Sequence, residues 1–124
     1  MSDARKKFYS REKANAGKKL FLKTPEGVET EEFLIVVNTD SEVMAKAHSE
    51  ARTAAVENRQ LAKPDPDFAE KAKRKLVASA VIGWSFEEKA TPEAVQEFLR
   101  ECPHIQDDVD TLIYDRKAFF GGAA

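Results

Sequence analysis

Two histidines and a single cysteine are the side chains of this 124-residue chain best suited to nucleophilic, acid–base or metal chemistry. Cys102 and His104 flank Pro103, and Asp107 follows within a turn. A thiol next to an imidazole that a carboxylate orients is the arrangement of a cysteine nucleophile. The same three side chains also offer one thiolate, one imidazole and one carboxylate to a zinc ion. The spacing argues against both uses. Cys102 falls seven residues after Val95 on an apolar helical stripe, where a free cysteine behaves as a small hydrophobe. One thiolate and one imidazole two residues apart lack the paired spacing of zinc ligands. His48 sits among Lys46, Ser49 and Glu50 and reads as solvated. The chain has no Gly-rich phosphate loop, no HExxH and no nucleophile elbow. The sequence therefore implies a protein that is not an enzyme, with no catalytic residue, cofactor or metal.

Recognition chemistry is better represented. Arg116 lies three residues after Ile113 and seven after Val109, on the apolar stripe of the last helical pattern. A guanidinium there must reach out to water or meet a carboxylate. Beside Phe119 and Phe120 it has the composition of an interface anchor. Trp84, the only tryptophan, follows an apolar segment and reads as a plug at a core edge or as a binding residue. Aromatic and basic residues interleave only at Phe8 and Tyr9, which gives little support to a base-stacking platform.

The charge is unevenly distributed. Residues 1–23 carry eight basic and two acidic side chains, and residues 24–124 carry twelve basic and twenty acidic ones. An arm of +6 thus precedes a body of −8, within a net charge of −2. Residues 1–17 read as a flexible basic arm and not as a secretory signal, because no apolar segment follows the charges. The longest apolar run, Phe33–Val37, has five residues, where a membrane span needs about 20. One cysteine cannot form an internal disulfide, which fits a reducing cytoplasm. A small nucleic-acid-binding protein using the arm is the alternative function, although the acidic body makes nucleic acid an improbable partner.

These residues need a scaffold, and the patterning supplies one over residues 18–124. Residues 18–38 predict a β-hairpin turning at Thr24-Pro25-Glu26-Gly27, with Phe33–Val37 apolar on both faces and needing cover on both. Thr39, Asp40 or Ser41 caps a helix over about 41–61, whose stripe of Val43, Ala47, Ala51, Ala54, Ala55 and Leu61 is mostly alanine. Such a face admits a close neighbour but buries little area, which suggests self-association. After the Pro64–Pro66 break, Ala69, Ala72, Leu76, Val77, Ala80 and Val81 predict a helix over 68–82, ended by Gly83, with Trp84 and Phe86 in a loop. Thr91-Pro92-Glu93 starts a helix over 92–102 bearing Val95, Phe98, Leu99 and Cys102. Pro103 turns the chain into a helix over 104–120 bearing Ile105, Val109, Leu112, Ile113 and Phe120, ended by Gly121-Gly122. The expected fold is mainly α, about four helices with a small N-terminal β-hairpin, α+β by strict count.

The order of these features has a counterpart. Ala80-Val81-Ile82-Gly83-Trp84, then Thr91-Pro92-Glu93, then Pro103-His104-Ile105, Val109 and Leu112, and finally Arg116 with Phe119, resembles the tail assembly chaperones of long-tailed bacteriophages. The likeness runs over roughly residues 18–120 and does not include the basic arm. It implies a non-enzymatic, self-associating protein of the bacterial host cytoplasm. Its partner would be the helical tape-measure protein, kept in solution until the major tail protein assembles around it. Trp84, Phe98, Leu99, Ile105, Val109, Leu112, Arg116, Phe119 and Phe120 are the residues of this chain that such a partner would contact.

Overall fold

The computed structural model describes residues 3–121. Among them the chain forms a 3-10 helix, Asp3–Phe8, then α1 (Arg11–Ala16), β1 (Lys18–Lys23), β2 (Glu29–Val36), α2 (Glu42–Arg59), α3 (Phe68–Ser79), β3 (Val81–Trp84), α4 (Pro92–Glu101), α5 (Pro103–Tyr114) and α6 (Arg116–Phe120). The fold is α+β, with one three-stranded antiparallel sheet in the order β1-β2-β3.

The hairpin forms where its turn chemistry places it. Gly27 takes φ +90°, and its amide donates to the Thr24 carbonyl at 2.8 Å. Leu20 pairs with Leu34 and Phe21 with Phe33. Leu22, Leu34 and Val36 are buried under the helices. The third strand replaces the expected end of a helix and loop. α3 stops at Ser79, three residues short of Ile82, and Val81–Trp84 pairs with β2. The reason is tertiary: β2 needs hydrogen-bond partners on both edges, and β-branched Val81 and Ile82 supply an extended run beside it. Gly83 therefore does not end a helix. It lies opposite Ile35, where an added Cβ would approach Ile35 Cδ1 to 3.3 Å.

The arm is also more ordered than its charge suggests. Ala14 in α1 is fully buried, its carbonyl accepts from the Asn38 amide at 3.3 Å, and Asn15 Oδ1 accepts from the Glu42 amide at 2.8 Å. Within the segment expected to be a flexible arm, residues 1–17, α1 is thus held against the body through Ala14 and Asn15. Gly17 at φ +81° lets the chain turn into β1, in a space where a Cβ would crowd the Val36 carbonyl at 3.0 Å.

Three helix boundaries move. Ser41 caps α2 by accepting from the Met44 amide, and this register buries Met44 while leaving Val43 and Leu61 exposed. α5 begins at Pro103, and the helix expected over 104–120 breaks at Asp115, whose carboxylate accepts from the Ala118 amide at 2.9 Å and starts α6. Gly121 ends α6, where a Cβ would collide with the Lys117 carbonyl oxygen, and Gly122 lies outside the described residues. The core closes around Leu34, Met44, Val77, Val95, Leu99, Val109 and Ile113, all buried, with the helices on one side of the sheet.

Candidate partner-binding site

The residues expected to meet a partner do not converge on one surface. Leu99 and Val109 are fully buried and Ile105 nearly so, and they form the core between α4, α5 and the sheet. Phe98 and Leu112 are half-buried against that core. Their helical stripes closed over the sheet because the sheet's own apolar face had to be covered.

Trp84 leaves its predicted loop for β3, opposite Leu34. Its indole Nε1 donates to the Glu88 carbonyl at 2.6 Å. Its ring centroid lies 5.2 Å from Phe86 and 5.9 Å from Phe98, both edge-on, and Phe86 lies 5.3 Å from Phe98. These three rings plug the core edge where β3 meets α4, and Trp84 is a packing residue.

Arg116 is not on an apolar face. It stands on α6 with its side chain 65% exposed. Its Nε and Nη2 donate to the two oxygens of Asp40, each at 2.7 Å. The hydrogen bonds and charge of Arg116 hold the Asp40 carboxyl below its ordinary pKa. Lys18 Nζ donates to the Ala118 carbonyl at 2.6 Å from β1, so α6 is pinned at its first residue and at its middle. Phe119 and Phe120 are half-buried, with ring centroids 5.6 Å apart.

The thiol and imidazole are engaged separately. Burial, and then the charge of Glu101, push the Cys102 thiol up, away from the reactive thiolate. His104 Nε2 lies 2.9 Å from the Lys23 carbonyl oxygen, across the α5–β1 junction. His48 Nε2 lies 3.4 Å from Thr39 Oγ1, and its ring lies 6.1 Å from Tyr114. Among the described residues, no three His, Cys, Asp or Glu side chains are grouped to hold a metal ion. None of the helices there is long and apolar enough to cross a membrane.

An apolar groove with room for side chains of another chain lies elsewhere, between α2 and α3. Ala47, Ala51 and Ala54 on α2 face Phe68, Ala72 and Leu76 on α3 across a groove of about 230 Å³. Alanines line its α2 side, so little side-chain bulk fills the space between the two helices. Glu50, Lys71 and Lys75 stand at its rim, and Gln96 of α4 closes one end. The linker between the two helices is tied down. The Asp65 amide donates to Asn58 Oδ1 at 3.1 Å, and Lys71 Nζ meets Asp65 Oδ2 at 2.9 Å. Sequence reasoning found the α2 alanines and their shortage of bulk. It missed the matching wall, since the periodicity places Ala72 and Leu76 only on the stripe of their own helix and leaves Phe68 outside that stripe.

Comparison with known proteins found no matching family model, no similar curated protein and no similar solved structure.

Proposed function

We propose that this chain is a non-enzymatic assembly chaperone of the tail-assembly type it resembles in sequence. In this reading it holds an apolar helical segment of a tape-measure protein in the bacterial cytoplasm until tail protein replaces it. The observation that supports this is the alanine-floored groove between α2 and α3. From Ala47 to Ala54 the floor runs about 10 Å, or two helical turns. That length suits a partner helix offering side chains at i, i+3 or i+4, and i+7. At the rim Lys75 offers a cation and Glu50 a carboxylate to charged residues beside the apolar stripe.

Co-expression with a long tape-measure-type helical polypeptide tests this reading. The expected result is a several-fold rise in the polypeptide's dissolved fraction, lost in Ala51→Trp, which fills the groove. Circular dichroism and melting temperature establish that the variant stays folded. An unchanged dissolved fraction with the wild-type chain, or full activity in folded Ala51→Trp, refutes it.

A second reading rests on Phe8 and Tyr9, which are 76% and 63% exposed in the basic N-terminal segment. Nucleic-acid binding there would weaken steeply with salt and vanish on deletion of residues 1–9, a cut that spares the buried Ala14.

A further inference from the structure

The fold leaves two large apolar side chains of the α2 segment bare. Val43, in the first turn, is 42% exposed, and Leu61, just beyond the last, is 56% exposed. The Leu61 amide still donates back to the Asn58 carbonyl at 3.2 Å, so the helical path runs on to it. At 3.6 residues per turn, Val43, Ala47, Ala54 and Leu61 fall within an arc of about 40°, on one line along the helix. Ala47 and Ala54 on that line wall the groove of about 230 Å³ that faces α3. The groove is therefore the middle of a longer apolar track, and the exposed valine and leucine are its two ends. From Val43 to Leu61 the track runs about 27 Å, or five turns of helix. Ala47, Ala54 and Leu61 are spaced by seven, the step that keeps one face of a helix toward a partner helix along its length.

The charges beside the track differ between its two sides. On α2 it is bordered by Lys46, Glu50 and Glu57, all exposed. Lys46 Nζ lies 3.9 Å from Glu50 Oε1, so these two largely cancel, and Glu57 has no ion pair among the described residues. Across the groove α3 presents Lys71 and Lys75. Asp65 holds Lys71 at 2.9 Å, and Lys75 has no ion pair among the described residues. The α2 border is thus left with a carboxylate and the α3 border with an ammonium. We infer that the track binds one amphipathic helix of at least five turns, with basic residues on the flank over α2 and acidic residues on the flank over α3. Val43 and Leu61 anchor its two ends, beyond the two turns that the groove itself holds. This inference rests on the helix-holding reading above, and adds to it the length, the end contacts and the flanking chemistry of the partner.

Two synthetic peptides and the full chain test it by fluorescence anisotropy. Both peptides carry leucines at i, i+3 or i+4, and i+7, with lysines on one flank and glutamates on the other. One has about 20 residues and the other about 10, and side-chain bridges keep both helical, since helices this short are marginal in water. The long peptide should bind about tenfold or more tighter than the short one. Val43→Ser/Leu61→Ser, both at exposed positions, should remove that advantage and leave the short peptide's affinity unchanged. Lys75→Glu should weaken the long peptide severalfold, and a version with lysines on both flanks should recover the loss. Circular dichroism verifies the fold of each variant. A long peptide that binds Val43→Ser/Leu61→Ser as tightly as wild type overturns the inference and leaves the groove reading standing. Unchanged binding to Lys75→Glu refutes the flank assignment. Failure of both peptides to bind the wild-type chain refutes the groove reading and this inference together. A dimer in sedimentation that Val43→Ser/Leu61→Ser dissolves would give the track to a second copy and overturn the inference as well.

Discussion

Asn38 is a fully buried polar residue, and the structure allows the cost of removing it to be worked out. It sits just after β2, where four elements meet. Its Nδ2 donates to the Ile113 carbonyl at the end of α5 at 3.1 Å, and its Oδ1 accepts from the Asp40 amide at 3.0 Å. Its own amide donates to the Ala14 carbonyl of α1, and its carbonyl accepts from the amide of Ser41, the α2 cap. Asn38→Ala removes the two side-chain hydrogen bonds, at about 1 kcal/mol each. It also leaves a small cavity, adding a fraction of a kcal/mol to about 1 kcal/mol. The Ile113 carbonyl keeps the Thr39 amide at 2.9 Å, so it is not orphaned. The expected loss is about 2–3 kcal/mol, or roughly 10 °C in melting temperature for a chain of this length.

Asn38→Asp sharpens the test. It keeps the shape and the acceptor for the Asp40 amide, but turns an oxygen toward the Ile113 carbonyl. Burial raises the pKa of the introduced acid in the fold. Its penalty is therefore absent below the unfolded value of about 3.9 and grows as pH rises above it. At pH 7 this variant should be less stable than Asn38→Ala. Relative to wild type it should recover as pH approaches 4, where the protonated acid donates again. Urea or thermal unfolding followed at 222 nm measures both effects. The reasoning is refuted if Asn38→Ala lies within 0.5 kcal/mol of wild type, or if Asn38→Asp is the more stable variant at pH 7.

Two further expectations follow from the site geometry. The Asp40 carboxyl is held low by Arg116, so the stability of this pair is present above about pH 4 and is lost as pH falls through the depressed native value. Asp40→Asn should flatten the acid limb of the stability curve, and amide exchange over residues 116–120 should quicken, since α6 loses one of its two pins. Phe98→Ala should cost about 2 kcal/mol, below the range for a fully buried phenylalanine because Phe98 is half-buried, and should shift Trp84 emission to the red as water reaches the indole.

Much of the scaffold was legible because its signals are local. The Thr24–Gly27 turn, the Ser41 and Thr91 caps and the proline break before α3 each act through a few neighbouring residues, and each appears where its chemistry puts it. The failures are non-local. Val81–Trp84 continues the apolar run of α3 and becomes a strand because β2 offers a free edge 45 or more residues away in sequence. Asp115 interrupts a good helical stripe because its carboxylate caps α6 and Arg116 reaches Asp40. Three of the expected partner-contact residues are buried for a related reason. A stripe of large apolar residues carries no mark of what covers it, and in Leu99, Ile105 and Val109 it is covered by the rest of the chain.

Room for a partner therefore arises where side chains are too small to satisfy one another. α4 and α5 bring Leu99, Ile105, Val109 and Ile113 and leave nothing over once the sheet is covered. α2 brings Ala47, Ala51 and Ala54 to a neighbour that offers Phe68, Ala72 and Leu76, and these side chains leave a groove of about 230 Å³ unfilled. A chain shaped by its own stability alone would place leucine or methionine at 51 or 54, each adding buried apolar area at about 25 cal/mol per Å². Such a residue would also remove the slot. The alanines are understandable if the missing volume is supplied from outside, by the side chains of another helix. The same reasoning ties stability to the proposed function: substitutions that fill the groove should raise the stability of the free chain while they abolish the helix binding proposed for it.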